Sequence, residues 1–102
     1  MNMVHIQLDQ LPGWELVRKG LDDLRQGDTD TIEAILVMMA MPRLRPHTEI
    51  LLIPAFPSPD RPLNIALYKK LEDFGNSAHA RYNALRRRVL KFCTALDQYD
   101  QI

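Results

Sequence analysis

The sequence predicts a single all-α domain over residues 1–102, a compact bundle of about four helices, in two helical hairpins joined by a long proline-rich connection. Three observations predict this class. Apolar residues recur at helical spacing, glycines and prolines stand where helices should stop, and the final quarter of the chain keeps a seven-residue apolar repeat. With 102 residues, 46% hydrophobic and 25% charged, the composition is that of an ordinary globular domain with one core.

The first helix is predicted to follow the segment LPGW. Its apolar stripe consists of Leu16, Val17, Leu21 and Leu24. Gly20 lies in the same stripe and would cost a helix about 1 kcal/mol relative to alanine, so we expect a neighbouring helix to approach closely there. Trp14, at the mouth of the helix, is expected to close one end of the core.

The second helix is predicted to begin after a left-handed stop at Gly27. Asp30 and Glu33 have the spacing of an acidic capping box, in which each side chain approaches an unpaired backbone N–H. Residues 34–41, AILVMMAM, are apolar on every side and must be covered on every side, and Pro42 should end the helix. A buried strand is the alternative interpretation, which the capping signal and the unbranched methionines disfavour.

The connection over residues 42–62 contains six prolines around the apolar run ILLIPAF. Because proline removes a backbone donor, we expect extended or single-turn structure across the core. The side chains expected to be buried are Ile50, Leu51, Leu52, Ile53 and Phe56. Both a structural strap and a binding loop remain open. His47 is the side chain to test as an acid or base, and an exposed imidazole is expected.

The third helix should start near Pro62 and stop at Gly75, and the fourth should run from a cap at Asn76 or Ser77 to about Tyr99. The inner side of the third helix is Leu63, Leu67, Leu71 and Phe74, with Ala66 alongside. The fourth helix has a heptad seam formed by Ala78, Tyr82, Leu85, Val89, Phe92, Leu96 and Tyr99. Cys93 lies beside this seam and is expected to be a buried, inert thiol.

Composition and motifs disfavour several functions. Thirteen basic residues balance thirteen acidic ones, so the molecule has no overall positive field. The four isolated glycines form no phosphate loop, and the three histidines lack metal-ligand spacing. Asp28, Asp30 and Glu33 are interpreted as capping residues rather than metal ligands. We therefore expect no cofactor, no metal and no catalysis. A single cysteine and no long apolar run predict a cytoplasmic protein without membrane segments.

The function predicted is that of a small non-catalytic protein-protein interaction or regulatory module. Leu90 lies roughly 120° from the seam, and the second helix is apolar all round, so the apolar inventory is large for four helices. We therefore expect self-association, as a homodimer through the second or fourth helix. The candidate partner surface is Met38, Met39, Met41, Ile53, Phe56 and Leu90.

The alternative function is nucleic-acid binding. Residues 69–91 resemble a helix-turn-helix, although Asn76 and Arg81 stand where such motifs have apolar residues. The candidate nucleic-acid surface is His79, Arg81, Arg86, Arg87, Arg88 and Lys91. An ordinary solvated helix face explains these cations better, because the aromatic residues nearby belong to the seam and cannot stack on bases.

Overall fold

The computed structural model describes residues 8–100, apart from the side chains of Phe74 and Asp100, and confirms the all-α class. The described chain forms no strand. Its α-helices are α1 (Trp14–Arg25), α2 (Ile32–Met39), α3 (Met41–Leu44), α4 (Thr48–Leu51), α5 (Leu63–Leu71) and α6 (Ala78–Asp100). Short 3₁₀ helices cover Leu8–Gln10, Arg45–His47 and Glu72–Ser77. The four predicted helices correspond to α1, α2, α5 and α6.

The first hairpin consists of α1 and α2, which pack on each other along most of their length. Gly20 allows this approach, because a Cβ atom built on it would lie well inside van der Waals contact with the Glu33 carbonyl oxygen and the Val37 side chain. The close contact predicted at this glycine is therefore confirmed. Gly27 has a φ of 83° and provides the left-handed stop after α1.

The start of α2 differs from the prediction by one residue. Thr31 is the N-cap, since its hydroxyl oxygen accepts a hydrogen bond from the Ala34 N–H at 3.0 Å. The same hydroxyl donates to Oδ2 of the buried Asp23 at 2.6 Å. Asp30, the predicted cap, instead pairs with Arg61 at 2.6 Å and Lys70 at 3.2 Å. A hydroxyl can accept and donate at once, which suits it to link the cap to α1.

An ion pair between the exposed Lys19 and the buried Asp23 reinforces this link between α1 and α2. Lys19 Nζ lies 2.7 Å from both carboxylate oxygens of Asp23. Burial acts to raise the pKa of Asp23, but the hydrogen bonds from Lys19 and Thr31 outweigh it and the pKa lies below its ordinary value. Asp23 therefore stays charged while it holds the end of α1 against the start of α2.

Pro42 does not end the second helix as predicted. The helix stops at Met39, the backbone turns at Ala40, and Pro42 lies in the first turn of α3, where a missing N–H costs nothing. All five residues 34–38 are buried within the single chain. The apolar α2 is therefore covered by its own protein, and it gives no reason to require a second copy.

The connection is more helical than an extended strap. It contains α3 and α4 before it becomes extended toward α5. Leu51 is buried, whereas Ile50, Ile53 and Phe56 are half-buried. The prediction for Leu52 is wrong: its side chain is 69% exposed and its φ is 56°, because it caps the C-terminus of α4 in a left-handed conformation. Arg25 holds this turn by donating to the carbonyl oxygens of residues 51 and 52.

The second hairpin joins α5 and α6 through a 3₁₀ turn in which Gly75 has a φ of 66°. The predicted seam of α6 faces the protein: Ala78, Val89, Phe92 and Leu96 are buried, and Tyr82, Leu85 and Tyr99 are half-buried. Trp14 stacks on Phe92 with ring centroids 5.8 Å apart, so it closes the core as expected. These contacts fix the rotation of α6 about its axis, and that rotation decides which residues remain outside.

Candidate partner-binding surface

A groove of about 270 Å³ lies between the end of α2, the start of α3 and the middle of α6. Its lining residues are Leu36, Met39, Ala40, Pro42, Arg43, Arg86, Val89 and Leu90. Six of the eight are apolar, and the two charged ones are both arginines. We call this the α2–α6 groove.

Two partly exposed apolar side chains make this groove accessible to an apolar ligand. Leu90 is 43% exposed, because it lies about 120° around α6 from the buried seam and the other described helices cover it only in part. Met39 is half-buried, because α2 ends there and the chain turns away at Ala40. The buried Leu36 and Val89 form the floor between them. The fold thus presents apolar side chains that its own core does not use.

The two arginines of the groove are positioned by neighbours. Arg43 Nη2 lies 2.9 Å from Asp97 Oδ2, and the guanidinium of Arg86 lies 5.8 Å from the centre of the Tyr82 ring. A cation over an aromatic face is attracted by the ring electrons. Each arginine therefore has a preferred position, and both are exposed at the mouth of the groove.

The surface continues past Leu90 onto the outer face of α6. A shallower depression there is lined by Pro12, Arg87, Leu90, Lys91, Thr94, Ala95 and Gln98. Within residues 8–100, Arg87 and Lys91 form no ion pair or hydrogen bond with another side chain. Leu90 belongs to both depressions and is thus an apolar centre with cations on either side.

The predicted partner residues are only partly brought together. Met39 and Leu90 line the α2–α6 groove, whereas Met38 and Met41 are 6% and 5% exposed and fill the core. Ile53 and Phe56 pack against the core from the connection and do not line the groove. Phe56 also lies 5.9 Å below the guanidinium of Arg45. Periodicity identifies all of these residues as apolar, but only packing separates core from surface.

The predicted nucleic-acid residues are all exposed, yet they lie on different sides of α6. Arg86 lines the α2–α6 groove, and Arg87 and Lys91 lie on the outer face. Arg81 and Arg88 line a third depression on the opposite flank, beside Glu33. Arg88 also pairs with Glu15 at 2.9 Å. A phosphate backbone could contact only some of these cations at once.

The turn between α5 and α6 resembles that of a DNA-binding helix-turn-helix less well than the two helices do. The turn between α5 and α6 contains Glu72 and Asp73, both exposed, which would face phosphates unfavourably. Asn83 Nδ2 donates to His79 Nε2 at 3.2 Å, and the imidazole lies 6.3 Å from the Tyr68 ring. His79, a residue of the candidate nucleic-acid surface, is therefore engaged with its own helix and with α5.

The expectation of an exposed His47 is wrong. Its side chain is 7% exposed, and Nε2 lies 2.7 Å from Asp97 Oδ1. Asp97 thus joins His47 and Arg43, which lie on the connection, to α6. Sequence reasoning missed this contact, because nothing near Asp97 indicates that a segment about 50 residues away packs against it. The hydrogen bonds from His47 and Arg43 lower the pKa of Asp97.

Cys93 is buried, as predicted, and lies one helical turn before Asp97. Burial raises the pKa of its thiol, despite the nearby charge of Arg43. At neutral pH the sulfur is therefore held as a thiol rather than as the thiolate that a nucleophile or metal ligand needs.

We expect replacement of Asp97 by asparagine to flatten the acid dependence of stability. A carboxylate whose pKa is lowered on folding stabilises the native state above its unfolded pKa of about 3.9, and this contribution is lost as pH falls through the folded pKa. The wild-type protein should thus exceed Asp97→Asn in stability at about pH 5.5, and the difference should shrink toward about pH 3. Urea unfolding of both proteins across this pH range measures the difference in their free energies of unfolding. Parallel pH profiles would show that the contact has no energetic role.

Comparisons with known proteins add no information on function to the geometry described above. No family model matches the chain, and no match was found among curated proteins or solved structures. Among residues 8–100, no helix is both long and apolar enough to cross a bilayer. The same residues contain no cluster of three side chains suited to bind a metal ion.

Proposed function

We propose that this protein is a small, non-catalytic, cytoplasmic protein-interaction module whose binding surface is the α2–α6 groove. The exposed Leu90 is the observation that supports this most strongly. A leucine side chain gains free energy when it is buried against another apolar surface. Here the neighbouring Met39 and Pro42 form a continuous apolar surface with Leu90. The sole cysteine, a buried free thiol, supports the cytoplasmic location.

A different protein is the better occupant than a second copy of this chain. Self-association is predicted through the second or the fourth helix, because α2 requires cover and Leu90 lies outside the seam; the single chain already covers residues 34–38 of α2. What stays open is a concave strip along one side of α6. A groove between helices is the usual receptor for an amphipathic helix, which inserts side chains at i, i+3, i+4 and i+7.

Capture from a lysate of the source cells tests this function. The tagged full-length chain is compared with Leu90→Glu and with the control Ile65→Glu, which places the same charge on a side chain of α5 that is 51% exposed. We expect a partner whose recovery falls about tenfold with Leu90→Glu, as for the loss of a central anchor, and is unchanged with Ile65→Glu. Circular dichroism checks that both variants fold. Equal recovery with all three proteins would contradict the proposal.

Nucleic-acid binding is the second candidate, and it is favoured by Arg87 and Lys91, which form no ion pair with another residue in the part of the chain that the structure describes. Replacing both by alanine should remove two phosphate contacts and reduce the salt dependence of binding accordingly. A gel-shift titration of the wild-type protein with RNA and DNA at about 50 mM salt decides whether there is binding to analyse. No shift under these conditions would exclude this candidate.

A further inference from the structure

The surface around Leu90 is both apolar and cationic, whereas the proposed function is argued from its apolar character alone. Its centre is apolar, and its edges are cationic: Arg43 and Arg86 at the groove, and Arg87 and Lys91 on the outer face. From this juxtaposition, and resting on the proposed function, we infer that the partner presents an acidic amphipathic helix, with apolar residues along one stripe and Asp or Glu on both flanks.

The charge around the groove supports an acidic partner. On α6, Arg86 and Arg87 are four and three residues before Leu90, so both lie next to it on the helix surface. Asp97 pairs with both Arg43 and His47 and so offsets the charge of Arg43, which leaves Arg86 and Arg87 as the main cations beside Leu90. Opposite charges on the edges of an interface speed association and exclude partners of the wrong sign.

The geometry supports a helix rather than an extended peptide. The described residues form no strand, so they offer no sheet edge to which a peptide strand could be added. Along α6, the two depressions are lined by residues from Arg86 to Gln98. Twelve steps of 1.5 Å make this about 18 Å, which matches a partner helix of three to four turns.

The lining supports a protein rather than a nucleic acid. No aromatic ring belongs to either depression, all of whose lining residues the structure describes. Of the nearby rings on α6, Phe92 is buried in the core and Tyr82 lies under Arg86. Single-stranded nucleic acids bind through stacking on aromatic side chains, and a phosphate backbone gains nothing from an apolar floor. Leucine, methionine and proline instead suit apolar side chains from a helix.

A pair of synthetic peptides tests this inference. Both are about 18 residues long, helical, and share leucines at i, i+3, i+4 and i+7. One has glutamate flanks and the other has lysine at the same positions. Fluorescence anisotropy with the full-length protein should show binding of the acidic peptide, at least about tenfold tighter than the basic one and weaker at higher salt.

Variants of the protein then assign the binding to the surface around Leu90. Leu90→Glu and Arg87→Glu should each weaken binding of the acidic peptide about tenfold, whereas Ile65→Glu and Lys69→Glu on α5 should leave it unchanged. Lys69 is exposed and is the first residue of the segment 69–91 that resembles a helix-turn-helix. A loss of binding with Lys69→Glu equal to that with Arg87→Glu therefore counts against the assigned surface.

The outcomes separate this inference from the proposed function. Equal affinity for both peptides, or no binding of the acidic one, overturns the acidic partner. If Leu90→Glu still abolishes capture of a partner from lysate, the interaction module stands and only its partner chemistry is wrong. Tighter binding of an oligonucleotide of about 20 nucleotides than of the acidic peptide at about 50 mM salt would overturn the inference in favour of nucleic acid.

Discussion

Replacing Phe92 by alanine is expected to lower the free energy of unfolding by about 3–5 kcal/mol. The ring is fully buried at the centre of the α6 seam and stacks on Trp14, so its removal leaves a cavity and an unsupported indole. A domain of this size has a total stability of about 5–15 kcal/mol. Urea unfolding followed by far-UV circular dichroism should therefore show a large shift of the midpoint.

The matched control for Phe92 is Leu90→Ala on the same helix. Because this leucine is 43% exposed and lines the groove, its truncation should cost less than about 1 kcal/mol. The contrast tests the rotation of α6, on which the candidate surface depends. If Leu90→Ala destabilised the protein as much as Phe92→Ala, Leu90 would be a core residue and the groove would not be open.

Replacing Gly20 by alanine is expected to destabilise the protein by about 2 kcal/mol, although alanine is the better helix former by about 1 kcal/mol. The added Cβ would overlap the backbone carbonyl of Glu33 and the side chain of Val37. Since a carbonyl inside a helix cannot rotate away, α1 and α2 must separate. Gly20→Leu should prevent their packing and leave the chain largely unfolded.

The control for Gly20 is Arg18→Ala, an exposed position on the same helix. Its effect should stay within about 0.5 kcal/mol, as for most surface substitutions. Thermal unfolding of the three variants measures the series. A Gly20→Ala protein more stable than the wild type would mean that helix propensity outweighs packing, and that α1 and α2 are less closely packed than the structure places them.

Local patterns identified the helices and their inner faces well. The heptad spacing predicts which side of α6 is buried, and Gly20 predicts the close approach of another helix to α1, which the structure identifies as α2. Helix N-caps were harder to assign. Asp30 and Thr31 are both good capping residues, and the choice between them follows from Asp23, which holds the Thr31 hydroxyl from another helix.

The candidate surface was predicted only in part. Leu90 is predicted to lie away from the seam, and Met39 is predicted as part of the apolar second helix and of the partner surface; both line the groove. Met38 and Met41 are predicted on the same surface because all three methionines of residues 34–41 belong to one run that is apolar on every side. The side on which α2 is covered depends on α1, α5 and α6 together, which no local pattern describes.

The sequence by itself determined the all-α class, the four main helices and the buried stripe on α6, because these depend on backbone hydrogen bonding and on apolar spacing within one segment. Only the tertiary structure decided that Arg43 and His47 meet Asp97, from 54 and 50 residues away, and that Leu90 stays open beside them. Such contacts form when whole helices pack, and their partners are set by the geometry of the complete core rather than by neighbours in the chain.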